Sequence, residues 1–528
     1  MTRTTGTVDL EQARAEACGL FAQSLGLPEV SAAADLIGTE EFLKFRVGRR
    51  APVYDHALRE TLEGLQDANP YRGLLGLQIA PPERFPDSME ANVLRGLLVR
   101  STRPIAGQPI PHVFPGQYVP FQNNEETQAI QPATHLIVGR RGVGKTTLIL
   151  KAKELLERSR SLPVVLDMQP YTGPEDSVLV DVLVDLAKEL AKVATRKYPK
   201  ASNAIKKLDE FADDLFNGKT KPERASAALR RAISAVTTAV DAELFVFLDD
   251  YHLVHADQQA KVAEAIHGGL KGARGWLKVA GLRSLLRVYD PKTKKGLQSP
   301  GDAQVISLDL TLVDPEAAEG HLRRILLNFL RLVGVDNLSI AIAEGAFHRL
   351  VWANAGVPRD FLQMFSKSIE HAKRAARQRV ELSDTNLAIG EFGRQKMAEL
   401  EEDARNEKGL LKRALEAIEK HCLESDKKKI NAFLIRSESS DEYNAVRTLS
   451  DLRLLHLLHQ TITPHKAGER YEAYMLDYSL FTGFRQRRNI EQMLPEDGKQ
   501  FKAKQLRGIP ILPQGFLKAG DNESTTRS

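Results

Sequence analysis

Residues 139–146 read GRRGVGKT. Three glycines, a lysine and a threonine at this spacing are the parts that wrap a chain of phosphates. Gly139, Gly142 and Gly144 let backbone N–H groups close around anionic oxygens, where a Cβ would crowd them. Lys145 reaches toward the terminal phosphates, and the Thr146 hydroxyl is a ligand for Mg²⁺. The segment Gly139, Arg140, Arg141, Gly142, Val143, Gly144, Lys145, Thr146 and Thr147 is therefore the candidate nucleotide-binding loop. ATP and Mg²⁺ are the cofactors it implies.

Three further groups fit the same chemistry. Residues 244–250 read LFVFLDD, an apolar run that ends in two acids. In this Walker B pattern Asp249 is expected to hold Mg²⁺ through water, and Asp250 to polarise an attacking water. Residues 277–284 run LKVAGLRS, which brings Arg283 toward the γ-phosphate as a sensor. Arg287, one helical turn on, is open between a finger reaching a neighbouring subunit and a solvated side chain, and Arg283 between a sensor and a solvated side chain. Residues 356–359 read GVPR, with proline at the first position of a long helix. Arg359 then lies at the unfavourable end of the helix dipole, which a nearby anion explains. It is assigned as a second sensor.

Short apolar runs alternating with helical periodicity supply the elements that position these groups. Strands are expected at 135–138, 162–167, 244–248, 277–281 and 303–308, with an amphipathic helix over 177–194. This pattern predicts an α/β fold, a parallel P-loop NTPase sheet covered on both faces. Ligands of such sheets bind at the carboxyl ends of the strands, where the glycine-rich loop lies. The strand before Arg283 is expected beside the strand of the phosphate loop. After 314 the chain reads as helices over 315–333, 339–354, 358–379 and 383–403.

The flanks are less informative. Residues 8–67 read as helical with a break near Gly26–Pro28, and 69–132 as irregular with one helix near 89–100. That portion is expected to be a packing or oligomerisation arm. Residues 406–490 read as helix, short strand, helix and hairpin, with a recognition helix within 441–458. Arg447 and Arg453 on that helix, and His465, Lys466 and Arg470 near the hairpin tip, are candidate DNA contacts. Residues 481–510 hold seven basic and three acidic side chains, an excess of four that suits a phosphate-tracking tail. Arg485, Arg487 and Arg488 are its candidate contacts; a merely solvated basic terminus fits equally.

GRRGVGKT, LFVFLDD, the strand before Arg283 and the GVPR helix, in this order, resemble the AAA+ ATPases of the origin-recognition type. The likeness covers about 133–480. It implies a nucleotide-binding core at 133–313, a helical lid at 314–403 and a C-terminal winged helix at 404–484. An arm at 1–132 and a basic tail at 485–528 flank these. The resemblance implies ATP binding and hydrolysis, duplex DNA as partner, and homo-oligomers assembled on ATP. Two features depart from it. The initiators usually carry Asp-Glu where this chain has Asp249–Asp250, and the phrase FLDDYHLV looks more like the STAND signalling ATPases. The shorter acid at 250 reaches less far toward water, so hydrolysis is expected to be slow. A STAND-like switch, with protein instead of DNA on the winged helix, is the second reading.

Composition sets the outer bounds. At 528 residues the chain is expected to form several domains. Lys plus Arg is 74 against 69 for Asp plus Glu, so any nucleic-acid surface must be local. Cys18 and Cys422 have no metal-ligand spacing, and no run of about 18 uncharged apolar residues is present. The start, MTRTTGTVDLEQ, has no apolar signal-peptide core. A cytoplasmic protein without a membrane partner is expected.

Overall fold

Five parallel strands carry the glycine-rich loop, and the computed structural model packs helices and smaller sheets around them. It describes residues 9–102, 118–173, 177–403, 408–424, 429–438, 440–463, 469–482 and 503–517, with the single positions 490, 493 and 501.

The chain opens with α1 (Leu10–Leu25), the antiparallel pair β1 (Ala32–Ile37) and β2 (Glu40–Val47), and α2 (Pro52–Gly64). Then follow β3 (Leu75–Ile79), parallel to β2, and α3 (Met89–Ser101). The expected helix over 8–67 thus fails at 32–47. Leu43, Phe45 and Val47 are buried in alternation along β2, and Phe45 stacks on Phe21 of α1 at 4.0 Å. That period of two, with a cross-strand partner, overrides the helix propensity of the alanines at 32–34.

Next come α4 (Glu125–Ala129), β4 (His135–Val138), α5 (Lys145–Glu157) and β5 (Leu162–Asp167). Three helices follow, α6 (Ser177–Lys197), α7 (Ser202–Phe216) and α8 (Pro222–Val240), and lead into β6 (Leu244–Asp249). Then stand α9 (Ala256–Leu270), β7 (Gly275–Gly281), the short pair β8 (Tyr289–Asp290) and β9 (Lys295–Gly296), and β10 (Gln304–Ser307). The main sheet runs β10-β4-β7-β6-β5, parallel throughout. Every residue of β4 and β6 is buried, as strands covered on both faces require. The expected α/β P-loop sheet is present, and β7 does adjoin β4. Its strand ends bring Gly139, Asp249, Leu282 and Asp309 to one edge.

The helical segment holds α10 (Pro315–Leu332), α11 (Leu338–Ala341), α12 (Glu344–Asn354), α13 (Pro358–Arg374) and α14 (Leu382–Asp403). A single bridge, Ile342 to Val380, ties its two halves. The N-terminal segment is fastened to α13 by Arg95–Glu370 at 3.2 Å, and to the following turn by the Phe85 N–H on the Gln378 carbonyl at 3.1 Å.

The last layer comprises α15 (Lys408–Leu423), β11 (Ala432–Arg436), α16 (Asp441–Asp451), β12 (Leu455–Ile462), β13 (Tyr471–Leu476) and α17 (Ala503–Arg507). Its sheet is antiparallel, in the order β11-β13-β12. The helix expected to reach 458 ends at Asp451. Arg453 turns at φ 67, and the apolar run at 454–458 continues as a strand. A short leucine-rich run fits either period, and pairing with β13 decides it. The described part of the basic tail does not run free. Leu512 N–H donates to the Leu434 carbonyl at 2.8 Å, and Leu506, Ile509 and Leu512 are buried. His465, Lys466, Arg485, Arg487 and Arg488 lie outside the described residues. Among the described residues no helix is long and apolar enough to cross a membrane. Cys18 is half-buried, Cys422 is buried, and neither forms a disulfide.

Candidate nucleotide site

The glycine-rich loop leaves β4 and enters α5, so its amides face the start of a helix whose N-terminus favours anions. Gly142 and Gly144 sit at φ 79 and φ 106, a region that side-chain-bearing residues avoid. At Gly142 space is also limiting. A Cβ there would stand 2.9 Å from Cβ of Arg359, the first-turn arginine of α13.

Lys145 is buried within this loop. Its Nζ donates to the Gly139 carbonyl at 2.9 Å and the Arg140 carbonyl at 3.1 Å. Burial lowers its pKa, while Asp250, Asp249, Asp309 and Asp451 oppose that shift. An ammonium held by two neutral carbonyls and surrounded by acids is suited to exchange those carbonyls for phosphate oxygens.

Asp249 closes β6 across from the loop and is almost wholly buried. Burial, then the Asp250 charge, pushes its carboxyl up to about 7; the Thr146 hydroxyl and Lys145 pull the other way. A carboxylate disfavoured by burial and hydrogen-bonded to a threonine hydroxyl fits a divalent cation, whose charge would favour the ionised form. Thr146 and Asp249 are the residues that would hold Mg²⁺. Asp250 takes φ 50, donates its N–H to Asp249 Oδ1 at 3.0 Å, and stays partly exposed. The His252 ring stands 4.0 Å from its carboxylate.

The two acids should separate on substitution. Asp249→Asn is expected to lower Mg²⁺-dependent ATP affinity about tenfold or more, because the buried metal ligand is lost. Asp250→Asn should leave affinity within about twofold and lower turnover about tenfold or more. Titration of labelled ATP with and without Mg²⁺, beside phosphate release, reads both. Wild-type turnover in both variants would remove the assignment.

The arginines fare differently. Arg140 contributes its backbone to the loop, but its side chain is directed away from the expected phosphate position. Its Nε pairs with Asp309 Oδ1 at 3.2 Å, and its Nη2 donates to the carbonyls of both Leu310 at 2.7 Å and Ala355 at 2.9 Å. It fastens the loop to β10 and to the turn before α13. Arg359 meets the loop directly, its N–H donating to the Gly142 carbonyl at 3.2 Å. Arg283 is exposed, and residues 283–285 form a turn followed by irregular chain at 286–288, not a helix. Arg287 is also exposed, its guanidinium folded onto the Ser284 carbonyl at 2.5 Å.

Sequence reasoning missed three parts of this site. Asp309 follows β10 at the carboxyl edge of the sheet, a position that strand assignment alone could have flagged. Phe121 packs beside Gly144 and stacks with His321 of α10 at 5.6 Å. It stands in a stretch that reads as irregular. The third is Asp451, at the end of α16. Its carbonyl accepts the Arg141 N–H at 3.2 Å, and its Oδ2 accepts the Ser284 N–H at 2.8 Å. Nothing in the local sequence points from residue 451 to the phosphate loop.

Of the candidate DNA contacts, Arg447 is exposed on α16, 5.7 Å from the Tyr443 ring. Arg470 is exposed at the start of the returning strand. Arg453 is not a surface residue: it is 1% exposed and its guanidinium is ion-paired with Asp360. The end of the helix at Asp451 turns it inward.

No family model matches the chain, and no curated protein matches it. Solved structures do. Cdc6p from Pyrobaculum aerophilum aligns at 13% identity and a TM-score of 0.33, over 71% of this chain and 96% of that one. Drosophila ORC bound to DNA aligns at 14% and 0.37, over 76% and 92%. The RuvB Holliday junction branch migration motor of Thermotoga maritima aligns at 13% and 0.29, over 54% and 78%. Likeness of this degree has no bearing on function, which rests on the geometry above.

Proposed function

We propose that this chain is an ATP-binding switch of the AAA+ class, with slow hydrolysis and nucleotide-controlled assembly on duplex DNA. The observation that carries the reading is the meeting of four groups at one sheet edge. Buried Lys145, the Thr146–Asp249 pair and the amides of the loop stand together with Arg359 at the lid helix. The loop amides and Lys145 bind the phosphates, and Arg359 reports on them to α13. Mg²⁺, held by Thr146 and Asp249, would shield phosphate charge. Asp250 orients water from a short side chain at a partly exposed position, which agrees with slow turnover.

The surroundings of α16 favour a second reading, a STAND-like switch that binds protein. Its last turn contacts the phosphate loop and Arg453 is buried, so less of the helix is presented to a duplex. Gel shift on duplex DNA with ATP, ADP or no nucleotide separates the two. On the DNA reading, binding appears at low salt with ATP and weakens steeply as salt rises. Charge reversal of Arg447 and Arg470 then flattens that dependence by about one released counterion per lost phosphate contact. No binding at low salt with ATP removes DNA and leaves the protein-binding switch.

A further inference from the structure

Helix α16 ends against the phosphate loop, and helix C-termini carry partial negative charge. The contact is specific. An amide of the loop, that of Arg141, is engaged by the Asp451 carbonyl, and the amide after Arg283 by the Asp451 carboxylate. Burial raises the pKa of that carboxyl, and its hydrogen bonds to Ser284 and the Lys145 charge oppose the shift. A carbonyl, a carboxylate and a helix C-terminus thus supply to this loop the kind of charge that a phosphate would bring. The turn just beyond is tied to α13, since Arg453 pairs with Asp360, the neighbour of Arg359.

We propose that the end of α16, through Asp451, is an internal anion that occupies the phosphate side of the loop and must be displaced when nucleotide binds. The proposal rests on the nucleotide reading above and adds its regulation. Phosphates and an ionised Asp451 repel each other, and such repulsion is stronger at a buried site than in water. The γ-phosphate adds charge, so ATP displaces the helix end more strongly than ADP does. Affinity is reduced by the fraction of molecules in the plugged form, and displacement of α16 is linked to loading in both directions.

The test compares Asp451→Asn with Asp451→Glu in the full chain. Asparagine keeps an oxygen for the Ser284 N–H and removes the charge; glutamate keeps the charge. Mg·ATP and Mg·ADP affinities are measured by calorimetry. Asp451→Asn is expected to bind Mg·ATP about tenfold tighter than wild type, with a smaller gain for ADP, and Asp451→Glu to show no such gain. Hydrogen exchange of the wild-type protein gives an independent readout, since Mg·ATP should raise exchange across residues 441–463. Unchanged or weaker ATP binding by Asp451→Asn, with wild-type binding intact and no change in exchange at 441–463, overturns the plug and leaves the nucleotide site standing. Absence of nucleotide binding in wild type and Asp451→Asn alike overturns both.

Discussion

A Lys145→Ala protein should fold and lose nucleotide. The ammonium is buried and donates to the neutral carbonyls of Gly139 and Arg140, with Asp250, Asp249, Asp309 and Asp451 acting on it electrostatically. Phosphate oxygens would replace these neutral acceptors with ionised ones, so that the ammonium bonds to opposite charge. Two such bonds of about 1.5–3 kcal/mol correspond to a loss of at least about 100-fold in ATP affinity. Lys145→Met separates binding from folding, because it keeps the length of the side chain and removes a buried charge whose burial already lowers its pKa. Its thermal midpoint should stay close to that of wild type while calorimetry detects no ATP binding. Retained affinity in either folded variant would show that the loop is not the nucleotide site.

The loop and its strand were readable because their signals are local. GRRGVGKT fixes a turn, a helix start and a ligand chemistry within eight residues, and LFVFLDD gives a buried strand with acids at its carboxyl end. Parallel strands buried on both faces show as continuous apolar runs, and all five were visible for that reason. The hairpin at 32–47 was hidden because alanines at 32–34 favour helix, while the partner that makes them a strand is residue 43 and its neighbours. The inward turn of Arg453 and the role of Asp451 are hidden for a related reason. Their positions depend on where α16 stops, and helix ends are the least local feature of a leucine-rich run. Arg140 carries an instructive error: the sequence places it in the loop, but only the fold shows Asp309 and the carbonyls that take its side chain.

Asp477→Ala should be the most destabilising single change outside the nucleotide site. Asp477 is fully buried and accepts from Lys396 Nζ at 2.5 Å, His456 Nε2 at 2.7 Å and the Ser479 N–H at 3.0 Å. Lys396, also fully buried, lies 3.6 Å from Asp360, which pairs in turn with Arg453. Two acids and two basic side chains thus meet in a buried interface between α13, α14 and the C-terminal sheet. Removing Asp477 leaves Lys396 and Arg453 to share Asp360, so the buried cluster carries one unbalanced charge, at a cost of about 3–5 kcal/mol. The double substitution Asp477→Asn with Lys396→Met removes both charges, so it should lose less than the sum of the single changes. Burial alone would raise the Asp477 carboxyl, but Lys396 and His456 outweigh it and hold the group well below the usual carboxylate range. Such a depressed group contributes stability above the unfolded value of about 3.9, and that stability is lost as pH falls further through the folded value. Denaturant unfolding at pH 7 and pH 3 reads the result. The gap between wild type and Asp477→Ala should be wide at pH 7 and narrower at pH 3. Equal stability at pH 7 would mean that the cluster does not fasten α13 and α14 to the C-terminal layer, and the coupling between Arg359 and α16 would lose its physical basis.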